Sequence, residues 1–232
     1  MHRTFNFTKK TRSGKLLNVS REHYLRDDLY CGSQQCTQCP MAPVERKLQK
    51  VGDSSEYFVL DTNVLLHQMD LLENSLDHPE RKLFANLIVL QTVLDEVRSN
   101  NQKLYTRVRA FLAKHEHAVV FCNEHHRSTY IERTPGETPN DRNDRAIRVA
   151  ANWYKTHLPK INIVMMTNDK GNRIKAGMLG AENIKTISVP EYVDQHSNEY
   201  PDLSELMARM VAFEKEREKG SVILEKSVWD TG

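Results

Sequence analysis

Four acidic residues, Asp61, Glu96, Asp144 and Asp169, stand where an α/β sheet would gather them. Asp61 ends the apolar run Tyr57-Phe58-Val59-Leu60, and Asp169 follows the run from Ile161 to Met166 by way of Thr167 and Asn168. Glu96 lies one helical turn beyond Leu87-Ile88-Val89-Leu90-Gln91, and Asp144 sits inside the polar segment NDRNDRAIR, just before an apolar-periodic helix. Carboxylates placed after parallel strands converge on the carboxyl edge of the sheet, where open α/β sheets bind their ligands. Such a cluster repels itself unless cations occupy it, so the pattern reads as a metal site. Taken singly, each acid also fits a helix cap or an ordinary helix position. All of them together, each at the correct end of its element, favour a site.

The motifs that are missing narrow the chemistry. The chain has no GxxxxGK[ST] phosphate loop and no GxGxxG after its first core strand. It has no G-x-S-x-G nucleophile elbow, and the strand-ending DTN lacks the second Asp of the phosphoryl-aspartate phosphatases. Oxygen ligands from Asp and Glu suit Mg²⁺ or Mn²⁺ over zinc. Two such ions a few ångströms apart can activate water and stabilise the leaving oxygen of a phosphodiester. Metal-dependent phosphodiester hydrolysis is the reaction class that fits.

A second constellation is Cys31-x4-Cys36-x2-Cys39. Its C-x2-C pair suits a tetrahedral zinc site but supplies three ligands only, and ten histidines offer too many candidates for a fourth. Zinc and three free thiols both remain open on spacing. The fourth cysteine, Cys122, falls in a predicted buried strand and reads as a core residue.

The elements that must position these groups begin near Glu56. Strands are predicted at about 57–61, 87–91, 118–122, 161–167 and 184–188. Helices are predicted at about 62–73, 92–99, 102–115, 141–157 and 171–178, with a short one after Pro190. Strands and helices alternate, and the strands are continuous apolar runs, which predicts a parallel sheet covered on both faces. The expected organisation is an amino-terminal arm over 1–55, an α/β/α domain over 56–198 and a helical tail over 199–232. Within the tail, Leu203, Leu206, Met207, Met210 and Val211 share one stripe, and SVILEKSVW resembles the start of another strand.

With 39% hydrophobic and 28% charged residues over 232 positions, the composition is that of a globular protein. The net charge of +2 conceals an asymmetry. Residues 1–26 carry Arg3, Lys9, Lys10, Arg12, Lys15, Arg21 and Arg26 against Glu22 alone, a basic arm suited to phosphate or an acidic surface, or to solvent. Phe5, Phe7, Leu16, Leu17, Val19, Tyr24 and Leu25 flank a Ser13-Gly14 turn signal, which predicts a short hairpin or an extended arm. No apolar run reaches the ~18–20 residues of a membrane span, and no secretory apolar centre stands at the amino terminus. An intracellular protein is expected.

The strings VLDTNVLL, VLQTVLDEVR, NDRNDRAIR and MMTNDKGN resemble the four-acid core of a PIN nuclease domain. More narrowly, REHYLRDDLYCGSQQCTQC, DTNVLLHQ, NEHHRSTY, NDRNDRAIRVAANWY and TND resemble the amino-terminal part of the catalytic ribonuclease subunit of the eukaryotic RNA exosome, from about Phe5 to Val193. The resemblance implies a three-layer α/β/α PIN-like fold and an endoribonuclease that binds Mg²⁺ or Mn²⁺ through Asp61, Glu96, Asp144 and Asp169. It implies that Cys31, Cys36, Cys39 and His157 hold a structural Zn²⁺ in a motif that docks the subunit onto the exosome ring. Single-stranded RNA and the exosome core are the implied partners, and nucleus, nucleolus and cytoplasm the implied locations. Relatives of that family continue into cold-shock, exonuclease and S1 domains, which 232 residues cannot accommodate. Asn63, Thr167 and Asn168 could orient ligands or waters, or serve turns and caps. Arg142, Arg145, Lys170, Arg173 and Lys175 could steer an RNA backbone, or lie on solvated helix faces. A purely docking module and a DNA nuclease are the competing expectations.

Overall fold

The computed structural model of the protein describes residues 2–11, 13–39, 47–49, 56–78, 83–178 and 184–212. Strands β1 (His2–Lys10) and β2 (Leu16–Tyr24) pair antiparallel, from His2 opposite Tyr24 to Lys10 opposite Leu16. Gly14 turns the chain at φ 82°, a left-handed conformation that glycine adopts without a Cβ penalty. The hairpin expected around Ser13-Gly14 therefore forms. It is stitched to the rest of the chain just beyond β2, where Arg26 N donates to His125 O at 2.7 Å and Arg127 N donates to Arg26 O at 3.0 Å.

Five further strands form one parallel sheet: β3 (Glu56–Leu60), β4 (Leu87–Leu90), β5 (Ala118–Phe121), β6 (Asn162–Met166) and β7 (Lys185–Ile187). Their order is β5-β4-β3-β6-β7. The chain thus builds outward from β3 on one side, then returns to build on the other. This reversal opens a crevice at the carboxyl end of β3, the place where doubly wound sheets hold ligands. The central strands are apolar on both faces because helices cover both: Tyr57 to Leu60, Leu87 to Leu90 and Ile163 to Met166 are all buried. The edge is less covered, and Val120 of β5 is 45% exposed.

The helices are α1 (Thr62–His67), α2 (Met69–Asp77), α3 (Gln91–Asn100), α4 (Gln102–Lys114), α5 (Pro139–His157), α6 (Lys170–Met178) and α7 (Val189–Gln195). α5 starts at a Thr138 cap, whose side chain accepts from Asp141 N, with Pro139 in the first turn. Its buried face carries Ile147, Ala150, Ala151 and Tyr154. A last helix covers residues 201–212, and it buries Leu203 and Met207 against the core with Leu206, Met210 and Val211 beside them.

Two expectations change, and a third lies beyond test. The helix expected over 62–73 is two helices broken at Gln68, which leaves helical geometry at φ −120°, ψ 25°. There the buried Gln68 accepts a 2.8 Å hydrogen bond from Asn168 Nδ2, a tertiary bond that local sequence does not announce. Cys122 lies just past β5 and is half-buried, so it is neither in the strand nor fully in the core. The strand expected in SVILEKSVW lies outside the described residues.

Candidate active site and candidate metal centre

Asp61 caps α1 directly after β3 and is 2% exposed. Its Oδ1 accepts from Thr62 N at 2.6 Å. Its Oδ2 accepts from Thr167 Oγ1 at 2.5 Å, Asn63 Nδ2 at 2.9 Å and Asn172 Nδ2 at 3.2 Å. Burial nevertheless pushes this carboxyl above its ordinary value, and the neighbouring Asp169 adds to the rise. Two of the expected supporting side chains, Asn63 and Thr167, thus touch Asp61 itself. Asn168 stands further out: its amide bonds Gln68 and accepts from Val189 N, tying α1, α7 and the β6–α6 turn together.

Asp169 opens α6, its Oδ1 accepting from Asn172 N at 3.0 Å. Glu96, on α3, accepts at Oε2 from Thr62 Oγ1 at 2.9 Å and from Asn143 Nδ2 at 3.3 Å. Asp144 projects from the second turn of α5, and its carboxyl is raised to about 6. Burial contributes most, followed by the charges of Asp61 and Asp169, then Arg148 in opposition and Glu96 in support. Asp61, Glu96 and Asp169, carried by three other elements, therefore all lie within electrostatic reach of Asp144. The donor set fits divalent cations: hard oxygen ligands, surplus negative charge, and an Asp61 Oδ1 engaged by one donor only.

Beside Glu96 a polar cavity of about 310 Å³ is lined by Thr92, Asp95, Ser99, Glu124, Arg142 and Asn143. The nearby cations are less available than sequence alone suggests. Arg142 grips Glu124 at 2.6 and 2.7 Å, Arg145 grips Glu137 at 2.8 Å, and Arg173 meets Glu191 at 2.6 Å. Lys175 lies 3.8 Å from Asp141, and Lys170 is exposed.

Sequence reasoning missed Thr62, Asn172 and above all Arg148, a buried cation 6% exposed whose Nη1 donates to Asn172 Oδ1. A signal for Arg148 existed, since it follows Asp144 by one helical turn on a face otherwise apolar.

The cysteine motif closes around α5. His157 Nε2 lies 3.1 Å from Cys36 Sγ and 3.2 Å from Cys39 Sγ. One ligand atom from each of Cys31, Cys36, Cys39 and His157 lies within 4.8 Å of the others, and among the described residues no other metal-ligand set of three or more is this compact. The four carboxylates are more widely set. A zinc ion about 2.3 Å from sulfur and 2.0–2.1 Å from nitrogen fits the thiol set. Burial raises the Cys31 and Cys39 thiols. Cys36 is also buried, yet the backbone N–H groups of Cys39 and Gln38 bring it below its ordinary value. Burial lowers His157, keeping its ring neutral. Trp153, on the same helix, stacks on His157 at 4.4 Å, and the buried Tyr154 hydroxyl donates to Cys31 O at 2.8 Å, so α5 meets the loop at Cys31, Cys36 and Cys39.

An α/β/α sandwich with a parallel sheet and carboxylates at its switch point describes a PIN domain, and the PIN-domain family model matches residues 58–188. The chain belongs to the PIN-domain family. Among characterised proteins it is 41% identical to mouse "Exosome complex exonuclease RRP44" over 238 residues, covering 96% of this chain and 24% of that protein. "Exosome complex exonuclease RRP44 homolog A" of Arabidopsis thaliana is 41% identical over 81% of this chain and 20% of its own length. "Exosome complex exonuclease dis3" of Schizosaccharomyces pombe is 35% identical over 91% and 22% respectively. The chain therefore spans about a quarter or less of these relatives. The RRP44 PIN domain of T. brucei superposes with a TM-score of 0.61 at 23% identity, covering 78% of this chain and 99% of that one, which shows the shared fold.

Proposed function

We propose that the chain is a metal-dependent endoribonuclease module that cleaves single-stranded RNA by two-metal-ion phosphodiester hydrolysis and tethers to the RNA exosome core. The observation that carries this reading is the convergence of Asp61, Glu96, Asp144 and Asp169 at one rim, with Asp144 raised to about 6 by burial and by the other acids. The similarity to exosome exonucleases supports RNA as the substrate and the exosome as the assembly. A nuclear and cytoplasmic setting, and a longer protein with a separate exonuclease domain, belong to the same proposal.

The roles of the chain's own residues follow from their bonds. Asp61, Glu96, Asp144 and Asp169 would hold Mg²⁺ or Mn²⁺. Thr62, Asn63, Thr167 and Asn172 hold the carboxylates of Asp61 and Glu96 in place, so that less reorganisation is needed when ions bind. The ions, when bound, would polarise the scissile phosphate and lower the pKa of the attacking water. Since Arg142, Arg145 and Arg173 are engaged by carboxylates, RNA binding would draw more on the basic hairpin and Lys170 than on these three arginines.

The Cys31, Cys36, Cys39 and His157 set would hold Zn²⁺ and brace the loop that follows the basic hairpin, presenting both to the exosome ring. A second reading, a docking module without catalysis, draws on this same compact set. A circular single-stranded RNA, which has no ends, separates the two. The parent cuts it in Mn²⁺ and Asp144→Asn cuts at least about 100-fold slower, a loss of ~2.7 kcal/mol in transition-state stabilisation. Equal cleavage by both proteins, or by neither, would remove the nuclease reading. Parallel assays on circular single-stranded DNA test the choice of RNA.

A further inference from the structure

Arg148 is the unusual group of the acidic site. It is only 6% exposed and lies on the same helix as Asp144, one turn further on. Buried guanidinium groups are costly unless their donors are used and their charge is balanced. Arg148 Nη1 donates to Asn172 Oδ1, yet Nε has no hydrogen-bond partner among the described residues. A purely structural arginine would be expected to satisfy that donor. Burial works against its charge and lowers its pKa, while the carboxylates of Asp144 and Asp61, both within its electrostatic reach, oppose that loss.

The bond to Asn172 has a directional consequence. A guanidinium can only donate, so Asn172 must present Oδ1 to Arg148 and is left with Nδ2 for Asp61 Oδ2, the 3.2 Å bond observed. Arg148 therefore sets the orientation of the Asn172 amide. Together with Thr167 and Asn63, that amide commits Asp61 Oδ2 and leaves Oδ1 as the freer oxygen.

The charge has its own consequence. Four ionised carboxylates and one guanidinium leave the cluster at a formal minus three. One divalent ion brings it to minus one and a second to plus one, a charge that a single phosphodiester cancels. Without the guanidinium a doubly loaded site would be neutral and would offer an RNA phosphate no net attraction. Its presence also disfavours the second ion until the phosphate arrives.

We propose that Arg148 is a positioning residue of this site: a resident cation that orients Asn172 and Asp61, and that makes entry of the second divalent ion depend on the RNA phosphate. This rests on the nuclease reading above. It deepens that reading by assigning the order of ion and substrate binding to a residue of the chain.

The test is Mn²⁺ binding to the free chain, followed by electron paramagnetic resonance of unbound Mn²⁺, for the parent, Arg148→Met and Arg148→Lys. Any contribution of the cysteine site is common to the three and cancels in the comparison. The parent should bind one Mn²⁺ at the acidic site much more tightly than a second. Arg148→Met, which removes the charge, should bind the second ion about tenfold or more tightly while kcat on circular RNA falls and KM rises. Arg148→Lys keeps the charge without the fork, so its Mn²⁺ isotherm should match the parent while kcat recovers only in part. Thermal melts check folding, and Arg148→Gln takes the place of the methionine variant if that does not fold. An isotherm for the neutral variant that superposes on the parent overturns the proposal and leaves the nuclease reading intact. So does a lysine variant that behaves like the neutral one. A parent that binds no Mn²⁺ overturns both.

Discussion

Cys36 and His157 stand 121 residues apart in the chain, yet Cys36 Sγ and His157 Nε2 lie 3.1 Å from each other. The contact joins the loop after the basic hairpin to the last turn of α5, whose second turn carries Asp144. One rigid helix thus spans both candidate centres, ~20 Å apart at 1.5 Å per residue.

Metal analysis should therefore find about one zinc per chain, lost in the Cys36→Ser, Cys39→Ser double variant. At free zinc near 100 times its Kd, the ion should add ~2.7 kcal/mol to the unfolding free energy measured by denaturant titration. A protein of equal stability with and without zinc would contradict this assignment.

The Cys loop also depends on Gly32, which adopts φ 78° and packs so closely that a Cβ would sit 2.7 Å from Val119 Cγ1. Gly32→Ala should destabilise the chain by roughly 2 kcal/mol or more through strain and overpacking together. Tyr154→Phe should cost about 1–3 kcal/mol, because it leaves the Cys31 carbonyl without its buried donor. Urea unfolding of both variants measures these losses.

Asp144 gives the site a pH signature. Its folded-state carboxyl titrates at about 6 against an ordinary 3.8, so the folded state favours the protonated form. The sign follows from linkage: its contribution to stability is fully present below the ordinary value and is lost as pH rises through about 6. Without divalent ions, the melting temperature of the parent relative to Asp144→Asn should fall between about pH 4 and pH 6.5, and Mn²⁺ at neutral pH should restore it. A difference that stays flat across this range would show that the acids are not crowded.

Thr167 links Asp61 to the β6–α6 turn, donating to Asp61 Oδ2 and accepting from Asp169 N at 3.1 Å. Thr167→Val keeps the shape and removes the hydroxyl, which should reduce cleavage of single-stranded RNA about 10-fold or more with stability lowered by ~1–3 kcal/mol. Single-turnover cleavage and a thermal melt on the same sample separate the two effects.

Much of this arrangement could be read from residue order alone, and the reasons are local. β3 and β6 are apolar runs followed by Asp61 directly and by Asp169 three residues on, and the central strands of a parallel sheet must look this way because both faces are buried. Asp144 falls in the first turns of the helix expected over 141–157, which in the fold begins two residues earlier at Pro139. What escaped notice depends on partners distant in sequence. The break at Gln68 is made by Asn168, a hundred residues on. Arg142 and Arg145 resemble free cations until the fold brings Glu124 and Glu137 to them. Arg148 sits one turn after Asp144 among apolar positions of α5, a signal whose meaning depends on burial that spacing alone does not give. His157 is one histidine among ten, and spacing does not single it out.

Anomalous diffraction from a crystal soaked in Mn²⁺ tests the central claim most directly. The account predicts an anomalous peak bounded by carboxylate oxygens of Asp61, Glu96, Asp144 and Asp169, weakened or abolished in Asp144→Asn. A difference map with no manganese among these four side chains at saturating Mn²⁺ would contradict it.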